Sequence, residues 1–440
     1  MSAGPRQGKR QLATVRLKVL RVLRFHAGEN KMSSTIAGVD VHKRVLMVVV
    51  VTRDEEARVI DKRRFGTTTA ELLHVAAWLQ EHGVQEVVME STAQYWKPVW
   101  LGLEGHFELY LAQAWSNRAP RGKKTDFRDA ERLARRHLAG ELTLSFVPDA
   151  QQRVMRTLMR RRTQLTRERV RIQNQVESLL EETRIKLSGF VSDLFGATGL
   201  RMLTAVVAGE TDAVKLAALA DARIQRSQEE LVEALTGQVS DVHRDLLGQH
   251  LESVQLIDKH IVELAAMAAQ TMREHVEAIK RLVKIPGVRV LAAQQIVAEA
   301  GPRASAFGSA PQFSSWIGVS PGSQESAGEN HSSRCAKGNV YLRRVLCQAA
   351  QAAVRTKNSF FQQKFWRLVP RLGYVKAIWA IARHLSVVIW NILHEGAEYI
   401  EHGMATSEQA IKRRTQRVRK ELRALGYSDE LVPRLVTVAP

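Results

Sequence analysis

Four carboxylates in the first third of the chain have the types and spacing that could do chemistry. Asp40 lies inside an apolar, β-branched run, Glu90 ends another such run, and Asp126 and Asp129 are three residues apart on a predicted helix. An ionised carboxylate inside a hydrophobic strand is costly unless it is paired or bound to a metal. Residues three apart on a helix share a face, so the two later aspartates point to the same side.

The predicted order of elements would bring these four carboxylates together. Short apolar, β-branched runs and segments of helical spacing predict β-β-β-α-β-α-β-α between residues 35 and about 145. If the first three strands are antiparallel and the fourth joins the central strand in parallel, Asp40 lies beside Glu90. The last helix, packed across them, would add Asp126 and Asp129. Such a cluster needs a counter-charge, and its hard oxygen ligands suit Mg²⁺ or Mn²⁺. Two such ions about 4 Å apart can promote attack on a phosphodiester.

Each carboxylate alone also has an ordinary explanation. Acids on a helix in a Lys/Arg-rich segment are commonly solvated ion-pair partners, which would account for Asp126 and Asp129. Asp40 could face a turn. The metal hypothesis therefore depends on all four acids occurring together in this strand order.

Composition and charge narrow the class of protein. The 440 residues carry 65 Lys+Arg against 45 Asp+Glu, a formal net charge of +20, which indicates a polyanionic partner, nucleic acid before an acidic membrane surface. A hydrophobic content of 45% excludes a mostly disordered chain. The longest strongly apolar run, residues 45–51, is far shorter than the ~20 residues of a membrane span, so we expect no membrane partner. Two cysteines form no disulfide framework and fit a reducing cytosol.

Helical spacing dominates the rest of the chain. Two heptad-like seams predict a coiled coil, which could join two chains or form a helical hairpin within one. The seams run through Val154, Leu158, Leu165, Ile172, Val176 and Leu179, and through Leu247, Leu251, Val254, Ile261, Leu264 and Ala268. The break at Ile285-Pro-Gly-Val288 could hold a phosphate on its backbone N–H groups or could simply connect two helices.

Loop and helix signals alternate towards the end of the chain. Serine and glycine are frequent over residues 301–338, which predicts a loop, and helices should follow over residues 339–355 and on to about residue 402. We expect a multidomain protein of five segments. They are a basic segment that is either a disordered extension or a nucleic-acid-binding arm (1–31), an α/β domain (32–148), a helical coiled-coil region (149–280), a mainly α domain (281–404) and a basic helical tail (405–440).

Three motifs in the first domain resemble a known family. Gly38-Val-Asp-Val-His-Lys43, Met89-Glu-Ser-Thr-Ala-Gln-Tyr-Trp96 and Lys124-Thr-Asp-Phe-Arg-Asp-Ala130 are similar to motifs of the DEDD insertion-sequence transposases, the IS-one-ten/IS-eleven-eleven group. The strand order with these acids resembles the RNase H/RuvC fold. The resemblance implies metal ligands at Asp40, Glu90, Asp126 and Asp129, holding Mg²⁺ or Mn²⁺.

The second half of the chain carries the resemblance further. Residues 316–328 and 337–343 resemble the segment with that family's nucleophilic serine, and matching places it at Ser326, although Ala327 stands where glycine is common. Without the motif, nothing would distinguish Ser326 from a solvated loop serine. The resemblance implies a covalent phosphoserine intermediate and paired subunits, as a homodimer or homotetramer. Candidate phosphate contacts follow the serine at Lys337, Asn339, Arg343 and Arg344.

The function this predicts is DNA recombination that moves an insertion sequence. The resemblance implies donor and target DNA as substrates, a structured bridge RNA as guide, and a cytoplasmic, nucleoid-associated protein of bacteria. An arginine-rich stretch could bind the nucleic-acid backbone, or it could be a solvated helix face. Its candidate residues are Arg153, Arg156, Arg160, Arg161, Arg162 and Arg167. Two alternatives stay open: a structure-selective nuclease that hydrolyses DNA with water, and a catalytically inactive nucleic-acid-binding protein.

Overall fold

The computed structural model describes residues 35–91, 93–117, 125–222, 224, 226–322, 324–326, 329–332, 334–401 and 416. The predicted basic extension and the predicted tail helix over residues 412–425 lie outside these residues, apart from residue 416. The chain divides into two compact units, of which the first ends at Val147 and the second begins at Pro148. Each unit is described by itself.

A five-stranded mixed sheet forms the first unit. The strand order is β3-β2-β1-β4-β5, with β1 antiparallel to β2 and parallel to β4. This confirms the predicted element order and the predicted pairing of the first and fourth strands. The strands are β1 (Thr35–Val41), β2 (Val45–Thr52), β3 (Val59–Gly66), β4 (Val84–Glu90) and β5 (Glu108–Ala112).

Three helices cover the two faces of this sheet. The first two pack over a core that includes Val39 and Met89, and the third packs over the other face against Ile36 and Val88. Because side chains alternate along a strand, Asp40 and Glu90 fall on the face covered by the third helix. The helices are α1 (Thr69–Glu81), α2 (Trp96–Leu103) and α3 (Asp126–Leu138).

Two long helices, α4 (Ala150–Glu182) and α8 (Asp241–Thr271), pack against each other in the second unit. Ion pairs link Arg169 to Asp258 and Glu182 to His243, so the helices run antiparallel within one chain. The seam predicted on α4 is wrong at its start, because Val154 is 51% exposed. The buried side chains of α4 are Gln152, Met155, Met159, Leu165, Ile172, Val176 and Leu180. A coiled coil between chains stays a prediction.

The remaining elements of the second unit are helices and one short hairpin. Helices α5 (Ala197–Val207), α6 (Ala213–Ala217) and α7 (Gln228–Leu235) connect the two long helices. After α8 come α9 (Val276–Val283), α10 (Val290–Ala300), α11 (Ala310–Ile317), the strands β6 (Gln324–Ser326) and β7 (Glu329–Ser332), α12 (Val340–Ala353) and α13 (Phe360–His394). Short 3-10 turns lie at Ala114–Asn117, Leu187–Gly189 and Arg273–His275.

Two sequence predictions for this unit are wrong in part. The stretch predicted as a loop contains helix α11, whose first turn is capped by the Ser309 hydroxyl and contains Pro311. Gly318 then ends the helix in a left-handed conformation, with φ of 83°. The last described helix ends at His394 rather than near residue 402.

The turn Ile285-Pro-Gly-Val288 connects α9 and α10. A Cβ at Gly287 would lie 2.3 Å from the carbonyl oxygen of Ala349, so this turn packs directly on the backbone of α12. Ile285 and Val288 are buried beside it. The connecting role therefore has direct structural support, whereas a phosphate-binding role has none.

Helix α13 is the one described helix that is long and apolar enough to cross a membrane by length and composition. Core helices of water-soluble proteins meet the same criterion. Phe361, Ile381 and Leu385 of α13 are buried inside the protein. The helix is interrupted at Gly373, where φ is 75° and ψ is 166°.

Candidate active site

Asp40 and Glu90 lie at the ends of adjacent parallel strands. Val39 pairs with Met89, the residues that directly precede the two acids. Helix α3 approaches this pair closely because Gly38 has no side chain. A Cβ there would lie 2.0 Å from the carbonyl oxygen of Ala130, so only glycine lets the helix backbone contact β1. The contact brings the first turn of α3 to the two strand ends.

The four predicted carboxylates act on one another at this point. Burial raises the pKa of Asp40; His42 opposes that rise, and the charges of Asp129, Asp126 and Glu90 add to it. Asp40 and Asp129 are mostly buried, and Asp126 is about half exposed. Repulsion among partly buried anions is the condition that a bound cation relieves.

His42 joins the acidic cluster. Its Nε2 atom lies 3.2 Å from Asp40 Oδ2 and 3.7 Å from Asp126 Oδ2. Possible ligand atoms of these three residues all lie within 4.8 Å of one another, a spacing at which one cation could bind all three. Sequence reasoning placed His42 only in a polar turn. The available signal was its position two residues after Asp40, which puts both on the same side of an extended chain.

Two further residues connect Glu90 and Asp129 of the cluster. Asn117 Nδ2 donates a hydrogen bond to Glu90 Oε2 at 2.9 Å, and Arg132 Nε donates to Asn117 Oδ1 at 3.4 Å. Arg132 Nη2 also lies 2.8 Å from Asp129 Oδ1. Sequence reasoning missed both residues. Arg132 offsets part of the negative charge and orients two predicted ligands, but four carboxylates still outnumber it.

The residues present fit a divalent cation. Carboxylate oxygens suit Mg²⁺ or Mn²⁺, and such an ion would neutralise the charges of Asp129, Asp126 and Glu90, which add to the effect of burial in raising the pKa of Asp40. Asp40, Asp126 and His42 would supply the first ligands, with Glu90 and Asp129 held beside them. An ion there would polarise a phosphate oxygen and stabilise a departing oxygen.

Ser326 belongs to the second unit. It is the last residue of β6 and pairs with Glu329 of β7, so its backbone lies next to the end of a two-stranded hairpin. Ala327 and Gly328, which connect the strands, lie outside the described residues.

The structure separates the predicted nucleic-acid contacts into two groups. Arg161, Arg167, Lys337 and Arg344 are exposed, and Arg153 and Arg162 are half-buried. Three others have partners inside the fold: Arg156, Arg160 and Asn339 all bind the buried carboxylate of Glu299. Arg343 is half-buried, with its guanidinium 4.8 Å from the ring centre of Trp379.

The fold and the acidic cluster agree with the comparisons to known proteins. A mixed sheet with helices, acids at two central strand ends and a mostly helical remainder is consistent with a RuvC-like catalytic domain followed by a second domain. A family model described as a transposase matches residues 37–185. A second, described as the transposase IS116/IS110/IS902 family, matches residues 279–365. The chain belongs to this family of insertion-sequence transposases, and it is a DNA transposase.

Two curated proteins are similar along most of their length. A protein of Pseudomonas aeruginosa described as a probable family 20 transposase is 26% identical over 372 residues, which cover 82% of this chain and 97% of that protein. The transposase for insertion sequence element IS1111A of Coxiella burnetii is 25% identical over 372 residues, covering 83% of this chain and 91% of that protein.

Proposed function

We propose that this transposase cuts and rejoins the strands of an insertion sequence by combining a metal-binding acidic cluster with a serine nucleophile. The observation that carries the proposal is the convergence of Asp40, Asp126 and His42 at the strand ends, with Glu90 and Asp129 beside them. Bound Mg²⁺ or Mn²⁺ would supply Lewis-acid stabilisation of charge on the reacting phosphate. Arg132 and Asn117 hold two of the acids in position for that ion.

The proposed nucleophile is the hydroxyl of Ser326. Its oxygen attacks a DNA phosphorus while the bond from phosphorus to the 3′ oxygen breaks, and the serine proton leaves to a base as the 3′ oxygen gains one. A 3′ hydroxyl of another strand then attacks the phosphoserine and releases the serine. Because the ester conserves the bond energy, no net hydrolysis occurs. The family motif over residues 316–328 supports this role.

Partners of the reaction are part of the same proposal. Donor and target DNA, and a structured bridge RNA, would contact exposed cations such as Arg161, Arg167, Lys337 and Arg344. Cutting four strands requires paired subunits, as a homodimer or homotetramer. The protein would act in the bacterial cytoplasm at the nucleoid.

A trapping experiment tests the proposal. The full chain is incubated with DNA carrying the element's ends, with its flanking RNA and Mn²⁺, and denatured before electrophoresis. We expect a protein–DNA adduct that survives denaturation, that is lost in Ser326→Ala and that persists in the control Ser332→Ala. Asp40→Asn should abolish both adduct and cleavage.

Other outcomes have definite meanings. Cleavage with released nicks and no adduct, unchanged in Ser326→Ala, would refute the serine step and favour hydrolysis by water. Binding with no cleavage in any metal would refute catalysis and favour an inactive nucleic-acid-binding protein.

A further inference from the structure

Two exposed aromatic rings lie close to the break in helix α13. Trp366 is 62% exposed and Tyr374 is 52% exposed. Both rest on the buried ring of Phe365, with ring centres 5.2 Å and 5.3 Å away. An exposed tryptophan and tyrosine supported from below by the same buried ring form a surface that is already ordered before any partner arrives.

The break in the helix is what brings these rings to one place. In a straight helix residues 365 and 374 would be about 13 Å apart along the axis, too far for their rings to touch. Pro370 removes a helical hydrogen bond, and Gly373 adopts a φ of 75° that only glycine tolerates easily. Tyr374 therefore folds back onto Phe365. Arg367 and Arg371, which lie between the two rings in the chain, are also exposed.

The stretch of chain that carries these rings has charged side chains of one sign only. No Asp or Glu occurs from residue 330 to residue 394, the stretch that contains both rings. The same stretch contains Arg334, Lys337, Arg343, Arg344, Arg355, Lys357, Lys364, Arg367, Arg371, Lys376 and Arg383. Within the described part of the chain, Arg367, Arg371 and Lys376 are exposed and make no ion pair. A polyanion would complement this face, whereas a second copy of a chain of net charge +20 would be repelled.

We propose that Trp366 and Tyr374 form a stacking platform for unpaired bases of single-stranded nucleic acid, with Arg367, Arg371 and Lys376 holding the flanking phosphates. Aromatic rings between cations are the general means of binding single strands, because every base has a face that stacks while the backbone is anionic. Duplex DNA offers its phosphates but not the faces of its bases. The platform lies just past the last residue matched by the second family model, residue 365, and it does not depend on the role of Ser326.

Binding to short labelled strands tests this platform. Anisotropy of the full chain is measured with a 12-nucleotide DNA strand, the same RNA strand and the duplex, at one salt concentration. Trp366→Ala should weaken single-strand binding about 5- to 150-fold, the value of one stacked base, while duplex binding changes less than about 3-fold. Trp366→Phe should retain most of the affinity. Val262→Ala is the matched control, because Val262 is also an exposed apolar residue but lies on a different helix, α8.

A second measurement does not depend on the variants folding. Strands containing 5-bromouracil are irradiated with the wild-type chain, and the linked peptides are mapped. We expect links at Trp366 or Tyr374, to DNA, to RNA or to both, which identifies the strand. No links between residues 360 and 376 would overturn the proposal. Equal losses of affinity for duplex and single strand in Trp366→Ala would also overturn it. The same holds if Trp366→Ala leaves nucleic-acid binding unchanged and weakens only the binding of phosphatidylserine vesicles or the self-association of the chain.

Discussion

Glu299 is a fully buried carboxylate inside the second unit, and replacing it tests how the helices around it are held together. It accepts hydrogen bonds from Arg160 Nε at 2.8 Å and Arg160 Nη2 at 2.7 Å. Asn339 Nδ2, from the residue that caps α12, donates to it at 2.8 Å. Arg156 Nε lies 3.5 Å away. One carboxylate on α10 therefore joins the start of α12 to the first turns of α4.

The charges explain why its loss should be costly. Burial lowers the pKa of Arg156 to about 10, and Glu299 opposes that shift. Burial also acts against the charged form of Arg160, but its hydrogen bond and attraction to Glu299 outweigh burial and raise its pKa. Arg160 is about one-third exposed and could regain water, whereas Arg156 could not. Breaking a buried pair from one side costs ~3–5 kcal/mol, and we expect Glu299→Gln to fall near ~3 kcal/mol.

Urea denaturation of the full chain, followed by tryptophan fluorescence, measures this loss. Glu398→Gln is the matched control, because Glu398 Oε2 pairs with Lys284 Nζ at 2.7 Å where both side chains are about half exposed. That substitution should cost less than ~1 kcal/mol. If Glu299→Gln is no less stable than Glu398→Gln, the buried network does not hold these helices together and the reasoning is refuted.

Three further predictions follow from the same structure. Burial, with Lys364 and Arg383 nearby, lowers the pKa of His384 from 6.5 to about 4. Between these pH values the folded state binds fewer protons than the unfolded state, so stability should fall as pH drops from 6.5 towards 4. His384→Gln should flatten that dependence in thermal unfolding. Mn²⁺ should raise the melting temperature of the wild type and of the exposed control Glu55→Gln but not of Asp40→Asn, and an equal rise in all three would contradict a site at Asp40. Gly38→Ala should lower stability and remove this Mn²⁺ effect, because its Cβ would meet the Ala130 carbonyl at 2.0 Å; unchanged Mn²⁺ binding would show that α3 need not contact β1.

The first unit could be predicted well from the sequence because its signals are local. Short apolar runs rich in β-branched residues define the strands, and the chain order with one parallel pairing is enough to bring Asp40 beside Glu90. Asn117 and Arg132 could not be found this way. They contribute to the site through contacts with Glu90 and Asp129, and these contacts cannot be predicted from the spacing of residues along the chain.

In the second unit, the sequence prediction missed helix α11, because its segment has the composition of a loop. Serine and glycine between residues 301 and 338 indicated a loop, yet Ser309 and Gly318 are the two ends of α11 rather than parts of a loop. Both residue types favour helix ends as strongly as loops, since serine caps the first turn and glycine tolerates the left-handed conformation. Position relative to the apolar Phe313 and Ile317 was the better signal.

The arginines of α4 show why charge alone does not identify a binding surface. Gln152, Arg156 and Arg160 are spaced by four residues, so they form one stripe beside the buried Met155 and Met159. That stripe faces α10 and binds Glu299, about 140 residues away in the chain. A basic residue next to a buried stripe is placed to meet an acid inside the fold, and only the exposed basic residues can meet a phosphate. The arginines of this helix thus fall into two sets, one that binds an acid inside the fold and one that is exposed, and Arg161 and Arg167 belong to the exposed set.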